Sequence, residues 1–381
     1  MQDYFPTVLV IGAGQLARMM IEASTRLGIK IRVLAAANDE SAAQISSDNY
    51  LGDYRNLEHL INASKGVSVV TFDHEHVPLE LLAQLEKMKI AIRPGIKALA
   101  CSQDKAHMRQ TLHQAQLPNP RWISTNSITK AQQFFHKQSG QMILKAIKGG
   151  YDGKGVWEIE EAAQLNEFFT TPDSTWLLEE KVDFVRELAV QVVRSPSNQL
   201  VVYQPVETRQ KNGVCNEVIA PAPNLDENLN IKIQQLGLMV AKELDITGVF
   251  TIEMFETKSG EILINELAMR PHNSGHWSID GAITSQFENH LRAILDLPLG
   301  SPAPKAPYTV MANILGGDFQ DLYRPYLHCL ARDPQLRVQL YGKGVKPGRK
   351  VGHLNLSGTD WVDLLARARH AADYFTGTIT E

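Results

Sequence analysis

The amino-acid sequence predicts a three-domain protein of mixed α/β and α+β class. A strand, a glycine turn and a helix open the chain, as expected of a parallel βαβ unit. Antiparallel strand and turn signals fill the middle of the chain. Four prolines between residues 298 and 307 then mark a linker before a last group of short strands. We therefore expect domains at residues 1–97, 98–296 and 297–381, the last of them small and rich in β-structure.

The composition indicates an ordinary globular enzyme. The 381 residues are 44% apolar and 21% charged, and a net charge of −4 without a basic block argues against binding to nucleic acid or anionic lipid. No apolar run reaches membrane-spanning length, and the first residues lack the basic and apolar regions of a targeting signal. The three cysteines lie far apart without metal-type spacing, which is typical of the reducing cytoplasm.

The first domain begins with a strand from Thr7 to Ile11, a turn with the pattern GxGxxA from Gly12 to Ala17, and a second strand from Ile29 to Leu34. This is the pattern of dinucleotide-binding Rossmann folds. An NAD site also needs an acidic residue at the end of the second strand, where this chain has three alanines. We therefore favour a structural glycine turn. We expect the open helix N-terminus to be available to a substrate phosphate.

Polar residues follow the next strand of this domain. The strand from Val67 to Phe72 runs into residues 73–76, which are Asp-His-Glu-His. They lie at the edge of the sheet where α/β proteins bind ligands. The spacing of the two histidines matches no helical metal motif, so we interpret the cluster as substrate contacts or helix caps rather than as a metal site.

A lysine within an apolar strand and a glycine-rich loop characterise the second domain. Lys145 lies inside the strand from Gln141 to Ile147, where an ammonium group needs a partner such as a nucleotide phosphate. The loop from Lys148 to Gly155 carries four glycines and exposes backbone N–H groups, which predicts a mobile cover over phosphates. It is not a Walker A loop, because GxxxxGK[ST] is absent and a strand follows. A merely flexible hairpin tip is the alternative.

The next strands carry charged residues at their ends. The apolar strand from Thr175 to Val182 contains the charged run Glu179–Lys181, and Glu187 precedes the following strand. A strand end of this kind can bind adenine through its backbone, while a carboxylate such as Glu187 takes the ribose hydroxyls. Taken alone, the pattern is only that of a strand with solvated ends.

The clearest site signal is a hairpin with two facing carboxylates. If the turn is centred on Ser259-Gly260, Glu253 lies opposite Glu266 on the same face, with Cβ atoms roughly 5 Å apart. Two such carboxylates repel unless one is protonated or a cation lies between them. Carboxylates on a rigid hairpin suit Mg²⁺, whose coordination is completed by phosphate oxygens and water. An exposed glutamate pair on a solvated face is the alternative.

A loop dense in hydrogen-bond donors follows this hairpin. Arg270, His272, Asn273 and His276 lie within seven residues that also contain a proline and a glycine. Such a rigid loop suits an anionic or heteroaromatic substrate beside a metal-bound phosphate.

Together these segments resemble the ATP-grasp superfamily, and within it the family of N5-carboxyaminoimidazole ribonucleotide synthases. The resemblance spans nearly the whole chain and is most specific in the run Arg-Pro-His-Asn-Ser-Gly-His-Trp. The segments that carry it are Gly12–Met19, Thr71–Glu75, Gly150–Gly155, Asn265-Glu266, Arg270–Trp277, Tyr341–Lys343 and Arg349–His353. It implies an ATP-grasp fold between an N-terminal Rossmann-like, pre-ATP-grasp domain and a small C-terminal β-rich domain.

The resemblance implies a role for each matching residue. ATP is expected to contact Lys105, Lys145, Gly150, Tyr151, Asp152, Gly153, Lys154, Gly155, Val156, Glu179, Glu180, Lys181, Val182, Glu187, Asn265 and Glu266. The substrates are expected to meet Glu75, Tyr151, Asp152, Arg270, His272, Asn273, Lys343 and Arg349. The expected metal ligands are Glu253 and Glu266, and the expected catalytic residues are Arg270, Lys343 and Asp152. Without the resemblance, Lys105 would be interpreted as an exposed helix lysine, and Lys343 with Arg349 as a basic surface turn.

The chain departs from the family pattern at several positions. Ala13 and Ala17 stand where glycine is common, and Asp73 replaces a usual glutamate. Gln210 stands where a histidine is expected near the nucleotide, and we leave it out of the site. Ala268 occupies a position where many ATP-grasp enzymes carry a metal-ligating asparagine, which close relatives also lack.

The implied function is that of a cytoplasmic, homodimeric ligase of purine biosynthesis. ATP would phosphorylate bicarbonate to carboxyphosphate, and the amine of 5-aminoimidazole ribonucleotide would capture the released CO₂. Two other enzyme classes are alternatives: an ATP-grasp transformylase of glycinamide ribonucleotide, and an NAD(P)-dependent oxidoreductase suggested by the opening turn. A non-catalytic nucleotide-binding regulator is a further alternative, against which the retention of both Glu253 and Glu266 argues.

Overall fold

A computed structural model describes residues 5–150, 153–171, 174–211, 213–317 and 319–379. Within these residues the strands form a parallel sheet of four strands, an antiparallel sheet of four strands and an antiparallel sheet of nine strands. The mixed α/β and α+β class predicted from the sequence is therefore confirmed. In the described part of the chain, none of the helices has the length and apolarity needed to span a bilayer.

The parallel sheet forms the first part of the molecule. Its elements are β1 (Thr7–Ile11), α1 (Gln15–Leu27), β2 (Lys30–Ala35), β3 (Asn49–Leu51), α2 (Leu57–Ala63), β4 (Val69–Phe72), α3 (Leu79–Lys87) and α4 (Ile96–Gln103). The strand order is β3-β2-β1-β4. The βαβ opening predicted from the sequence is confirmed, and the carboxyl ends of β1 and β4 meet at the edge where ligands bind in such sheets.

The small antiparallel sheet follows, with strand order β5-β8-β6-β7. Its elements are α5 (Lys105–Gln114), β5 (Trp122–Thr125), α6 (Ile128–Lys137), β6 (Met142–Ala146), β7 (Val156–Ile159), α7 (Leu165–Phe168) and β8 (Trp176–Glu180). Met142 and Leu144 of β6 pack against Phe134 and Phe135 of α6. Because side chains alternate along a strand, this packing directs Lys145 to the opposite face of the sheet.

The nine-stranded sheet has the order β14-β13-β9-β11-β12-β15-β17-β16, with β10 beside β9. Its elements are β9 (Phe184–Arg194), β10 (Leu200–Val202), β11 (Val206–Lys211), β12 (Val214–Ala220), α8 (Glu227–Glu243), β13 (Gly248–Thr257), β14 (Ile262–Ala268), α9 (Ser278–Gly281), α10 (Gln286–Ile294), β15 (Tyr308–Leu315), α11 (Tyr323–Arg332), β16 (Arg337–Leu340), β17 (Lys350–Gly358) and α12 (Trp361–Thr376). Strands β15 to β17 belong to the same nine-stranded sheet, because β15 pairs with β12.

Helix α10 joins the parallel sheet to the nine-stranded sheet. Its apolar face packs in one cluster with Val8 and Val10 of β1. The ring of His290, which is fully buried, accepts a hydrogen bond from the N–H of Val249 at 3.1 Å and lies 2.8 Å from Thr71 Oγ1. Burial lowers the pKa of His290 to about 3, so the ring is neutral at physiological pH. It therefore bridges β13 and β4 and fixes the first sheet against the third.

The ion pair between Arg369 of α12 and Glu217 of β12 generates a stability prediction. The Nε–Oε1 and Nη2–Oε2 distances are 2.6 and 2.8 Å, and Glu217 is buried. Arg369→Ala leaves this carboxylate without its charged partner, so we expect a loss of about 2 kcal/mol in the free energy of unfolding, measured by urea denaturation. Lys258→Ala is the control, because its pair with Asp183 is exposed and worth at most about 1 kcal/mol. Equal losses in the two variants would contradict the prediction.

Candidate active site

The three sheets enclose a cleft of about 1410 Å³. The predicted site residues that line it are Glu75, Lys105, Lys145, Gly150, Gly153, Lys154, Val156, Glu179, Glu180, Lys181, Val182, Glu187, Glu253, Asn265, Glu266, Arg270, His272, Asn273, Lys343 and Arg349. Gly155 does not line the cleft, and Tyr151 and Asp152 lie outside the described residues. The structure therefore brings together residues that are up to 274 positions apart in the sequence, from Glu75 to Arg349.

Glu253 of β13 faces Glu266 of β14 across the hairpin, as the sequence predicts. The turn that produces this pair differs from the prediction. The N–H of Thr257 donates to the carbonyl of Glu261 at 2.9 Å, so three residues form the loop rather than two. A longer loop shifts the register by one residue, and without compensation it would remove Glu253 from its partner.

A β-bulge at Asn265 supplies the compensation. Met254 pairs with Ile264 whereas Glu253 pairs with Glu266, so β14 contributes one extra residue between the two pairs. In a regular strand the side chains of Asn265 and Glu266 would point to opposite faces. At the bulge both side chains reach the cleft, where each of them contacts a lysine.

Lys105 and Lys145 are these two lysines. Lys105, at the start of α5, donates a hydrogen bond to Oε1 of Glu266. Lys145 on β6 donates to Oδ1 of Asn265 at 3.1 Å and pairs with Oε2 of Glu179 at 2.7 Å. Lys105 is only 8% exposed, so its interpretation as an ordinary exposed helix lysine is wrong.

Three carboxyl groups, those of Glu253, Glu266 and Glu187, lie close together in this part of the cleft. Burial, together with the charges of Glu266 and Glu187, raises the pKa of Glu253 to about 8. Oε2 of Glu187 is buried and has no hydrogen-bond partner among the described residues. A divalent cation bound here would neutralise the excess negative charge, and a pair of carboxylates completed by phosphate oxygens and water suits Mg²⁺. Within the described ranges, no group of three or more His, Cys, Asp or Glu side chains is arranged to hold a metal.

Glu179 is buried, and its side chain orients Lys145. Oε1 accepts a hydrogen bond from Arg109 Nε at 2.5 Å. Burial disfavours the charged carboxylate, but Lys145 and Arg109 outweigh it and lower the pKa of Glu179 to about 2. The sequence analysis missed Arg109. Its position four residues after Lys105 places it on the same face of α5, which is the signal that would have identified it.

The glycine loop needs its glycines for conformational reasons. Gly153 and Gly155 have φ angles of 75° and 76°, which disfavour other residues. A Cβ atom on Gly150 would lie 2.7 Å from the carbonyl oxygen of Lys154. The carbonyl of Gly155 accepts a hydrogen bond from the N–H of Ala146 at 2.8 Å. Gly155 thus lies where the loop of the β6–β7 hairpin joins its strands, and this position explains why it does not line the cleft.

Part of the cleft has aromatic and apolar walls. Phe184 and Phe255 stack with ring centroids 4.7 Å apart and an interplanar angle of 17°. Both rings line the cleft beside Val182, and such surfaces suit a flat heterocycle. Gln210 also lines the cleft and hydrogen-bonds Glu187, although we left it out of the predicted site.

The loop after the hairpin is held by Glu75. Oε2 of Glu75 lies 3.3 Å from Nε of Arg270, and Oε1 accepts a hydrogen bond from the N–H of Met269. Glu75 follows β4 in the first sheet, whereas Arg270 follows β14 in the third. This contact therefore places the donor-rich loop against the carboxyl edge of the parallel sheet.

His272 is neutral and oriented by its neighbours. Nδ1 lies 2.9 Å from Oγ of Ser274, and Nε2 lies 3.7 Å from Oε1 of Glu253. Burial, together with the charges of Arg270 and Lys350, lowers the pKa of His272 well below its usual value. A neutral ring beside Glu253 can donate one hydrogen bond without competing as a cation for the acidic cluster.

The C-terminal loop is held against the first domain. Nζ of Lys343 donates a hydrogen bond to Oε1 of Gln15 at the start of α1. Oγ of Ser41 donates to the carbonyl of Tyr341 at 2.5 Å. Arg349 donates to a backbone carbonyl of the same loop at 3.2 Å. Gln15 lies in the glycine-turn motif, but the sequence analysis did not identify it as a site residue.

The carboxylate of Asp73 occupies the N-terminus of α1. It accepts hydrogen bonds from the N–H groups of Gly14 at 3.0 Å and Ala17 at 2.9 Å. The helix-cap interpretation of residues 73–76 is confirmed for Asp73. The expectation that this helix N-terminus is open to a substrate phosphate is wrong for these two N–H groups. The carboxylate sits where a dinucleotide fold would bind pyrophosphate, which argues against the NAD alternative.

Family models match three consecutive parts of the chain. Residues 5–103 match the ribonucleotide synthetase preATP-grasp domain, residues 110–287 match the ATP-grasp domain, and residues 309–367 match the phosphoribosylaminoimidazole carboxylase C-terminal domain. The fold predicted from the resemblance, an ATP-grasp domain between a pre-ATP-grasp domain and a small C-terminal domain, is therefore confirmed.

Whole-chain relatives are similar over nearly their full length. The N5-carboxyaminoimidazole ribonucleotide synthase of Corynebacterium ammoniagenes is 45% identical over 97% of this chain and 92% of its own. A crystal structure of an N5-carboxyaminoimidazole ribonucleotide synthetase with ADP has a TM-score of 0.89 at 33% identity, covering 96% of both chains. An Aspergillus clavatus enzyme with ADP and 5-aminoimidazole ribonucleotide has a TM-score of 0.89 at 30% identity, covering 98% of this chain and 99% of that one.

The filled helix N-terminus predicts that nicotinamide dinucleotides do not bind. We expect NADH fluorescence to stay unchanged when the protein is added at concentrations up to about 100 μM, because Asp73 already occupies the anion position and would repel pyrophosphate. A fluorescent ATP analogue titrated in parallel serves as the positive control. Saturable enhancement of NADH fluorescence would contradict the prediction.

Proposed function

The chain belongs to the N5-carboxyaminoimidazole ribonucleotide synthase family, and on this premise we propose that its cleft carboxylates 5-aminoimidazole ribonucleotide with bicarbonate and ATP. The observation that carries the proposal is the facing pair of Glu253 and Glu266 in one cleft with Lys105, Lys145 and the loop of Arg270. The two glutamates would bind a metal ion that carries phosphate groups, and the lysines and Arg270 would bind anionic substrates.

ATP is proposed to bind between the small sheet and the nine-stranded sheet. Glu253 and Glu266 would hold Mg²⁺, which supplies charge neutralisation for the transferred phosphoryl group when it is bound. Lys105 contacts Glu266 and Lys145 contacts the neighbouring Asn265, and both lysines would bind the triphosphate. The proposed nucleotide contacts also include the glycine loop and the end of β8, from Glu179 to Val182. Glu187 would bind the ribose hydroxyls.

The proposed reaction has three steps. An oxygen of bicarbonate attacks the γ-phosphorus of ATP, ADP leaves, and carboxyphosphate forms. Carboxyphosphate then loses inorganic phosphate and releases CO₂. The exocyclic amine of the aminoimidazole attacks CO₂ and loses a proton, which gives the carbamate. Because carboxyphosphate is labile in water, the residues that surround the cleft must exclude water until capture is complete.

The ribonucleotide is proposed to bind beside the first and last domains. Lys343 and Arg349 would hold its phosphate. Arg270, oriented by Glu75, and His272 with Asn273 would face bicarbonate and the imidazole. Arg270 and Lys343 keep the catalytic role that the resemblance implies. Asp152, to which the same role was assigned, lies outside the described residues.

Assembly and location complete the proposal. We divide the chain into a pre-ATP-grasp domain at 1–97, an ATP-grasp domain at 98–296 and a C-terminal domain at 297–381. We expect a homodimer, which light scattering would test. We also place the enzyme in the cytoplasm, supported by its three cysteines, all of them within the described residues and all free thiols.

ADP formation tests the proposed function. With bicarbonate present, we expect addition of 5-aminoimidazole ribonucleotide to raise ADP release by at least tenfold, with the carboxylated ribonucleotide formed in equal amount. Glycinamide ribonucleotide with formate is the matched substrate pair for the transformylase alternative. ADP release that responds to that pair and not to aminoimidazole ribonucleotide with bicarbonate would overturn the proposal.

Glu266→Gln tests the metal assignment. The variant keeps the shape of the side chain but loses the charge that would bind Mg²⁺, so we expect ATP turnover to fall at least 1,000-fold, or about 4 kcal/mol in the barrier. Circular dichroism should remain that of the wild type. Wild-type rates of ADP release from this variant would remove Glu266 from the metal site.

Arg349→Ala tests the phosphate-binding assignment. We expect the KM for the ribonucleotide to rise by about tenfold to 100-fold, because one charge-assisted contact is lost. The KM for ATP should stay within twofold of the wild-type value, which serves as the internal control. An unchanged KM for the ribonucleotide would exclude the assignment.

A further inference from the structure

Arg109 is completely buried beneath the acidic cluster and uses three of its nitrogen atoms. Nε donates to Oε1 of Glu179 at 2.5 Å, Nη1 donates to the carbonyl of Ile264 at 2.8 Å, and Nη2 donates to the carbonyl of Asn265 at 2.8 Å. The two carbonyls belong to consecutive residues of β14. Arg109 therefore contacts the bulge itself, although the proposed function assigns Arg109 no contact with a substrate.

The bulge, together with the position of β14 at the edge of the nine-stranded sheet, creates the need for such a partner. Strand pairing is interrupted at Asn265, between the pairs Met254–Ile264 and Glu253–Glu266. Buried carbonyl groups that lose a ladder partner are destabilising unless another donor replaces it. A guanidinium group presents its N–H groups as a rigid planar fork, which can reach two adjacent carbonyls and a carboxylate together, and an ammonium group cannot.

The contacts of Arg109 form a closed ring. Arg109 binds Glu179, Glu179 binds Lys145 at 2.7 Å, and Lys145 donates to the side chain of Asn265 at 3.1 Å. The backbone of Asn265 returns to Arg109. Lys105 lies one turn earlier on α5 and contacts the side chain of Glu266. One helix thus holds both the backbone of the bulge and the carboxylate that follows it.

We propose that Arg109 is a positioning residue for phosphoryl transfer, which acts by fixing the β14 bulge so that Asn265 and Glu266 both face the nucleotide. The inference rests on the proposed function, because it gives those two side chains the phosphate and metal contacts. Arg109 does not contact substrate. It determines where Glu266 stands relative to Glu253, and through Glu179 it determines where the ammonium group of Lys145 stands.

Arg109→Lys distinguishes positioning of the β14 bulge from simple neutralisation of the charge on Glu179. The lysine keeps a positive charge beside Glu179 but loses the fork to the two carbonyls. We expect the half-saturating Mg²⁺ concentration and the KM for ATP each to rise by about tenfold, while the KM for the ribonucleotide stays within twofold. Amide hydrogen exchange in residues 262–268 should be at least tenfold faster in the nucleotide-free variant, which is a readout independent of turnover.

Arg32→Lys is the matched control. Arg32 also contacts one carboxylate and two backbone carbonyls, in the first domain, with Nε 3.1 Å from Asp48 and Nη1 2.9 and 2.8 Å from the carbonyls of Ala63 and Lys65. Its substitution should lower the melting temperature without changing either KM. If the two variants change both KM values equally, or if exchange in residues 262–268 is unchanged in Arg109→Lys, Arg109 is only a stabilising core residue and the inference is overturned.

Two further measurements keep the outcomes distinct. If Arg109→Lys does not fold, Glu179→Asp tests the same ring, since it keeps the charge and shortens the side chain. We then expect amide hydrogen exchange in residues 262–268 of the nucleotide-free variant to be at least threefold faster, which a direct contact of Glu179 with nucleotide would not cause, and unchanged exchange would overturn the inference. Wild-type protein assayed in parallel isolates the premise, because absence of bicarbonate-dependent ADP release from the wild type would refute the proposed function rather than the role of Arg109.

Discussion

The cleft depends on one local constraint, the extra residue that Asn265 adds to β14. Because of it, two consecutive side chains of one strand face the same way, and a carboxamide and a carboxylate meet two lysines within the same pocket. The acidic pair and its cations are therefore set by backbone geometry and not by flexible side chains alone. Such preorganised charge is the main source of electrostatic stabilisation in phosphoryl transfer.

Charge balance explains why the surroundings of this point are so polar. Glu253, Glu266 and Glu187 lie close together, and burial, with the charges of the other two carboxylates added to it, raises the pKa of Glu253. Nearby, Glu179 has two cationic partners and a strongly lowered pKa. The cluster of three glutamates is arranged to receive a cation. Glu179, in contrast, is already neutralised by its two cationic partners and holds Lys145 in place. Neighbouring carboxylates thus differ in role because their partners differ.

Much of this arrangement could be predicted from the sequence, but only where local patterns decide it. Alternation along β6 sets the face of Lys145, and the hairpin signal places Glu253 near Glu266. The turn length was wrong by one residue, and the bulge restored the pair, which no local pattern indicated. The two errors cancelled, so the right pair was predicted for an incomplete reason. The sequence indicates only that Arg109 shares a helix face with Lys105 and that Asp73 can cap a helix. Their partners lie 56 to 156 positions away and could not be predicted, because only the tertiary fold brings them together.

The continuity of the nine-stranded sheet limits how the enzyme can open. The strands that precede and follow Lys343 and Arg349 belong to the same hydrogen-bonded ladder as Glu253, and His290 locks the parallel sheet to that ladder. Within the described residues, the antiparallel four-stranded sheet shares no strand pair with either body, and Lys145 of β6 contacts the hairpin through the side chain of Asn265. A rigid movement of this smaller sheet would therefore separate the hydrogen bond between Lys145 and Asn265 while every strand pair of the three sheets stays intact.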